Sequence, residues 1–339
     1  MPALRFQHPV RSLRSILFAW LPAMAASLAL AACQSGDTLA PTSDPAEERA
    51  AAPGPVEASG EAMALSTTQR ILFMSYPSSG APTVTKVDPT GASRAPIAGA
   101  DYESVAAWSW DNKRIALVRR RPVGNTSQDD IYLINADGSN GHWASPTPSA
   151  VPVMSPSWSP DGTGLVVSAW VQNISYVGWM NAATGQLSLF NPFQGGVRGS
   201  RPSYNPAGTK IIYMGPDYQT IEQINADGSN HKVRFSSTTY VTDPSFSPDG
   251  KKIAFCRLIS GTSNGEIFVK NFADGTIKRL TTNGAHDSHP TWSPDGTRIA
   301  FASTRSGTQQ IWTMNAATGG GLTRITHTSK YESDPEWSH

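Results

Sequence analysis

Cysteine is nearly missing from this chain: Cys33 and Cys256 are the only two among 339 residues. That excludes a disulfide-stapled scaffold and any paired Cys-x-x-Cys metal knuckle. There is likewise no His-Glu-x-x-His, no phosphate-binding loop and no dinucleotide fingerprint. Charge of one sign is missing too. The 27 Lys and Arg against 26 Asp and Glu leave a formal net charge of +1, so composition supplies no electrostatic case for nucleic acid. One hydrolase lookalike exists. Gly261-Thr262-Ser263-Asn264-Gly265 fits G-x-S-x-G, but a nucleophile elbow needs a helix after it. Here the alternating "EIFVK" follows, so the segment reads as a loop between strands.

Long apolar runs are also scarce. One extends from Ile16 to Ala32, is broken by Pro22, and follows Arg5, Arg11 and Arg14. It is short for a membrane span. A basic head, an apolar run and small residues at its end predict a secretory signal over residues 1–32. Its end, "LAAC" at Leu30 to Cys33, resembles the bacterial lipoprotein signal, which implies that Cys33 is lipidated and holds the protein on a membrane. Cleavage there removes three arginines and no acid, so 24 basic residues face 26 acidic ones and the charge becomes −2. Gln34 rather than Asp follows Cys33. Under the Gram-negative sorting rule this favours the periplasmic side of the outer membrane. Residues 33–63 are rich in Ala, Pro, Ser and Glu and have no aromatic residue. Such a segment cannot bury enough apolar surface to offset its chain entropy, and it reads as a disordered tether.

What the chain has is a repeat. "TWSPDGTRIAFAS" at Thr291 and "SFSPDGKKIAFCR" at Ser245 are near copies. The aromatic recurs as Trp108, Trp158, Tyr204, Phe246, Trp292 and Trp337, at spacings of 50, 46, 42, 46 and 45. Seven residues after the first five stand Ile115, Leu165, Ile211, Ile253 and Ile299. A period in the forties means stacked supersecondary units. Each unit reads as four strands. Ser-Pro-Asp-Gly reverses the chain after the first, and Asp-Gly or Thr-Gly after the third. Four strands at this period describe a β-propeller blade.

The first copy lacks the aromatic strand, and the last, "DPEWSH", has little else. The fragments are complementary, which predicts that Asp334–Ser338 supplies the innermost strand of the blade beginning near Arg70. The expected fold is therefore an all-β, six-bladed propeller over residues 64–339, sealed by the C-terminal strand. The repeated aromatics read as packing between neighbouring sheets. Cys256, in "KIAFCR", reads as a buried strand residue that acts as a small hydrophobe.

"PSFSPDGKKIAF" and "PTWSPDGTRIAFAS" resemble the Pro-Asp-type repeats of the TolB propeller family over nearly all of 64–339. The resemblance implies a propeller that binds a peptidoglycan-associated lipoprotein. In that family a separate N-terminal α/β domain stands where this chain has its tether. The implied function is a monomeric envelope lipoprotein whose propeller binds a protein or peptide without catalysis.

Candidate site residues come from the channel. Three positions before each aromatic stand Val105, Ser155, Arg201, Asp243, His289 and Asp334. An unlike residue at one register of a like framework is where a ring-shaped scaffold would place specificity. His286 and Asp287 precede His289, and Tyr102, Arg198, Tyr240 and Tyr331 share the register of His286. The expected rim is Arg198, Arg201, Asp243, His286, Asp287, His289 and Asp334. No cofactor is expected. The alternative is a divalent metal on His286, His289 and a flanking Asp, serving a lyase or hydrolase. A purely structural envelope lipoprotein is the third reading.

Overall fold

The computed structural model describes residues 69–97, 103–190 and 196–339. The expected signal segment, Cys33, the tether and Tyr102 lie outside the described residues. Every regular element among the described residues is a strand, from β1 (Ile71–Tyr76) to β24 (Tyr331–Trp337). The strands pair antiparallel into six four-stranded sheets, so the expected propeller is the observed fold. The innermost strands of blades two to six are β4 (Glu103–Trp108), β8 (Val153–Trp158), β12 (Ser200–Tyr204), β16 (Val241–Phe246) and β20 (Asp287–Trp292).

The first blade is composite. β24 leads β1, β2 (Thr83–Val87) and β3 (Ala95–Pro96) in one sheet, with Trp337 opposite Ile71 and Tyr331 opposite Tyr76. Each inner strand touches the next, and β24 touches both β20 and β4, which closes the ring. Closure pairs the edge of β1 with β24 and packs the first blade against the sixth, so neither terminal blade face is left uncovered.

Six apolar clusters hold the blades together, each drawn from two neighbours, and each contains one repeated aromatic. Trp337, 1% exposed, packs with Ile71, Phe73 and Val87 of its own blade and with Ala300, Ala302 and Ile311 of the sixth. The aromatics are the keystones of the blade interfaces, as expected from their recurrence. Cys256 is buried in β17 (Lys252–Leu258) and burial pushes its thiol up. Gly261–Gly265 runs by a turn from β17 into β18 (Gly265–Asn271), with no helix to form an elbow.

The Ser-Pro-Asp-Gly turn is a compact hydrogen-bonded device. In the third blade, Ser159 Oγ donates to Asp161 Oδ1 at 2.6 Å, and the same oxygen accepts the Thr163 N–H at 3.0 Å. The Ser159 hydroxyl and the Thr163 amide hold Asp161 below the usual carboxylate range. Gly162, at φ 68°, takes the left-handed position that closes the turn. In the fourth blade "YNPAG" lacks both Ser and Asp, and Asn205 replaces them. Its Oδ1 accepts the N–H groups of Thr209 and Lys210 at 2.9 and 2.8 Å.

Candidate functional site

The channel is built by one distortion repeated six times. Each inner strand carries a register shift near its middle. At that point Val105, Ser155, Arg201, Asp243, His289 and Asp334 all have positive φ, between 42° and 56°. For residues other than glycine this conformation costs about 1–2 kcal/mol each. A β-branched valine is rarely found there. A β-bulge re-aims a side chain, and here it directs one residue of every blade at the axis. The predicted register is thus a structural ring, and its shared strain was not visible in the sequence.

Four members of the ring meet. Arg201 Nη1 lies 2.8 Å from Asp243 Oδ1 and 3.4 Å from Asp334 Oδ1. His289 Nε2 lies 3.1 Å from Asp334 Oδ1 and 3.7 Å from Asp243 Oδ1. Arg201 belongs to the fourth blade and Asp334 to the first, which are diametrically opposite in a ring of six. The guanidinium therefore spans the channel and bars it.

Burial alone would lower the Arg201 guanidinium, but Asp243 and Asp334 outweigh it and hold it above its ordinary value. Burial pushes Asp334 up, yet His289 and Arg201 keep it below the usual carboxylate range. Protein surrounds Arg201 on all sides, but its side chain stays 31% exposed because the channel itself brings solvent to it.

The other predicted rim residues do not join this network, and the reasons are local. Asp287 is fully buried at the start of β20. Its carboxylate accepts from Arg305 Nη2 at 2.7 Å and from Asn283 Nδ2 at 3.0 Å. Glu103 with Arg119, and Glu332 with Arg94, repeat that pairing at the same register. It is a strand-end anchor. His286 accepts the Gly265 N–H on Nδ1 at 3.0 Å, and burial, then His289, lower its imidazole. Its Nδ1 lone pair is therefore occupied. Arg198 is exposed and bridges to Tyr176 of the third blade. The residues proposed as metal ligands thus face separate partners. Among the described residues no group of three or more His, Cys, Asp and Glu is arranged to hold a metal ion.

The bar divides the channel into two vestibules. On the side where the inner strands begin, the mouth, Tyr331 stands three residues before Asp334, roughly 10 Å along the strand. It packs edge-on against Tyr76, with ring centroids 5.6 Å apart. A second edge-on pair, Tyr218 and Tyr240, has centroids 6.0 Å apart. Tyr240 holds the same register above Asp243. Tyr331 is 46% and Tyr218 44% exposed. Tyr218 sits at φ 60°, strained and fixed by its own carbonyl, which accepts the Val241 N–H at 2.7 Å. Sequence reading placed Tyr240 and Tyr331 in this register. It missed Tyr76 and Tyr218, which come from second-strand ends and loops where the copies diverge. On the turn side lies a cup of about 460 Å³, roofed by Arg201, Asp243, His289 and Asp334.

Residues 219–339 match the family model described as TolB beta propeller domain. Over those residues the propeller is of the TolB type. The Tol-Pal system protein TolB of Francisella tularensis subsp. mediasiatica is 26% identical over 208 residues, covering 47% of this chain and 47% of that protein. The chain thus spans about half the length of that relative. The crystal structure of TolB from Acinetobacter baumannii superposes with a TM-score of 0.67 at 20% identity, covering 80% of this chain and 67% of that one. An oligogalacturonate lyase in complex with manganese superposes with a TM-score of 0.51 at 14% identity, covering 76% and 74%. At these identities the two solved structures show the fold alone. The TolB-type likeness rests on the family-model match over residues 219–339.

Proposed function

We propose that this protein is a lipid-anchored scaffold of the cell envelope whose propeller mouth holds a protein partner without catalysis. The observation that carries this reading is the mouth itself. Two edge-on tyrosine pairs and Arg198 stand above a channel that is barred beneath them. Tyrosine and arginine supply a disproportionate share of binding energy at protein interfaces. A preformed surface on a closed ring avoids the ordering cost that a loop would incur on binding.

The charged groups under the mouth are spent on one another. Arg201 is shared by two carboxylates and His289 is held by the same pair, which gives all four a structural part in the bar across the channel. The relatives' printed name places them in the Tol-Pal system. Together with the resemblance of the repeats to the TolB family, it directs the choice of partner class to an envelope protein. Lipidation of Cys33 would supply location, since acyl chains contribute about 0.8 kcal/mol per buried methylene.

The test is co-purification from detergent-solubilised envelopes with the wild-type protein and with a Tyr218→Ala/Tyr331→Ala variant. One partner should be retained by wild type and reduced at least about tenfold in the variant, the loss of two interface anchors. Equal retention by a variant that still melts normally would refute the reading.

A further inference from the structure

The cup on the turn side is a second, chemically distinct cavity. Two residues beyond each bulge the strand again faces the axis, placing Ala107, Ser157, Ser203, Ser245, Thr291 and Glu336 in its wall. Glu336 is the one ionisable side chain of that tier. Two of the hydroxyls already accept backbone N–H groups: Ser157 Oγ from Tyr204 at 3.2 Å, and Thr291 Oγ1 from Trp337 at 3.4 Å. The roof adds two carboxylates, set against the Arg201 guanidinium and the His289 imidazole. The inner part of the cup is therefore acidic and rich in oxygen.

The lip is different. Pro206, Pro248 and Pro294, from three successive turns, form an apolar collar with Trp110. The Trp110 indole N–H is spent on the Trp158 carbonyl at 3.1 Å, and its ring stacks on His339 with centroids 3.9 Å apart. The lip consequently offers rings and methylenes. Glu336 is half-buried against the cup wall, and a desolvated carboxylate without a counter-ion is unfavourable. Burial pushes Glu336 up to about 8, with only the Thr291 hydroxyl opposing it. An apolar collar above an acidic, oxygen-lined interior complements a side chain with a methylene stem and a cationic tip.

We propose that the cup binds a primary alkylammonium group, entering from the turn face, with its stem among the prolines and Trp110 and Glu336 as its counter-ion. The donor is a lysine side chain of a peptide or a free alkyl amine. The cup and the mouth lie at opposite ends of the inner strands, so loss of one activity leaves the other intact.

The test titrates full-length protein, labelled at its tryptophan indoles, with n-pentylamine and with 1-pentanol at about pH 8, the value at which Glu336 ionises. The Trp110 signal is assigned from Trp110→Phe. Pentylamine should shift it saturably, with 1-pentanol at least about tenfold weaker. Glu336→Gln, which keeps the shape and removes the charge, should erase that difference. A pentapeptide with a central lysine, run beside its norleucine counterpart, separates the sources. Tighter binding of the lysyl peptide than of pentylamine identifies a protein ligand, and the reverse a free amine. Equal shifts from amine and alcohol, unchanged amine binding in Glu336→Gln, or no saturable shift with any amine probe would overturn the proposal.

Discussion

Replacing Trp337 with alanine tests how the ring is sealed. Trp337 is 1% exposed and fills the interface between the sixth and first blades, against Ile71, Phe73, Val87, Ala300, Ala302 and Ile311. Its strand is held to β1 by a ladder running from Ile71–Trp337 to Tyr76–Tyr331. The Ser338 N–H adds a bond to the Arg70 carbonyl at 2.8 Å. Truncating a buried tryptophan removes its transfer free energy and leaves a cavity, a loss of about 3–5 kcal/mol. The two facing β-sheets cannot collapse into that space without breaking the ring, so the upper part of the range applies. In a domain of this size each kcal/mol corresponds to roughly 2–4 °C, so the midpoint should fall by about 10 °C or more. Calorimetry or near-ultraviolet circular dichroism reads this directly. Trp110→Ala is the control, because Trp110 is only half-buried at the lip and should cost far less. A Trp337→Ala midpoint within about 2 °C of wild type, or a loss no larger than for Trp110→Ala, would refute the closure argument.

Two further outcomes concern the channel. Arg201→Leu strands Asp243 and Asp334 together. Breaking a fully buried pair costs about 3–5 kcal/mol, but channel solvent reduces this to about 1–3 kcal/mol at neutral pH. Asp334 is depressed in the folded state, so its contribution is present above the ordinary carboxylate pKa and lost as pH falls through the folded value. The Arg201→Leu penalty, measured by urea unfolding, should shrink in acid, and a pH-independent penalty would contradict the ion-pair account. Glu336 behaves oppositely. Its folded pKa, about 8, lies above the ordinary 4.5, so its favourable contribution is full in acid and lost as pH rises between those values. Glu336→Gln should therefore match wild type near pH 4.5 and become progressively more stable than it up to about pH 8; a constant offset would show that Glu336 is not desolvated.

The fold was legible because the sequence states it repeatedly. Six aromatics at one register each occupy one blade interface, and complementary fragments at the two ends predicted the β24–β1 pairing down to Ile71 beside Trp337. The site was legible only where the repeat carried it. Arg201, Asp243, His289 and Asp334 share a register, and the bulge turns that register inward. Asp287 was misplaced because its partner Arg305 lies 18 residues away, in a loop with no repeat signal. His286 was misplaced because the Gly265 amide that occupies it belongs to another blade. Glu336 was missed although strand alternation puts it on the face of Asp334, two residues on. Tyr218 carried no such signal, since its exposure depends on a left-handed backbone in a variable loop.

The central claim is that the mouth, and not the outer edge of the blades, receives an envelope partner. Site-specific photocrosslinking in intact cells tests it most directly, with the probe placed in turn at Tyr331, Tyr218, Val233 and Ile277. Tyr331 and Tyr218 belong to the mouth. Val233 and Ile277 are comparably exposed, at 52% and 43%, on the outermost strands β15 (Lys232–Ser236) and β19 (Ile277–Arg279). The account predicts one envelope protein captured from both mouth positions and from neither edge position, with capture lost when Cys33→Ala releases the chain from the membrane. Capture only from the edges, or none from the mouth in a protein that is folded and anchored, would contradict it.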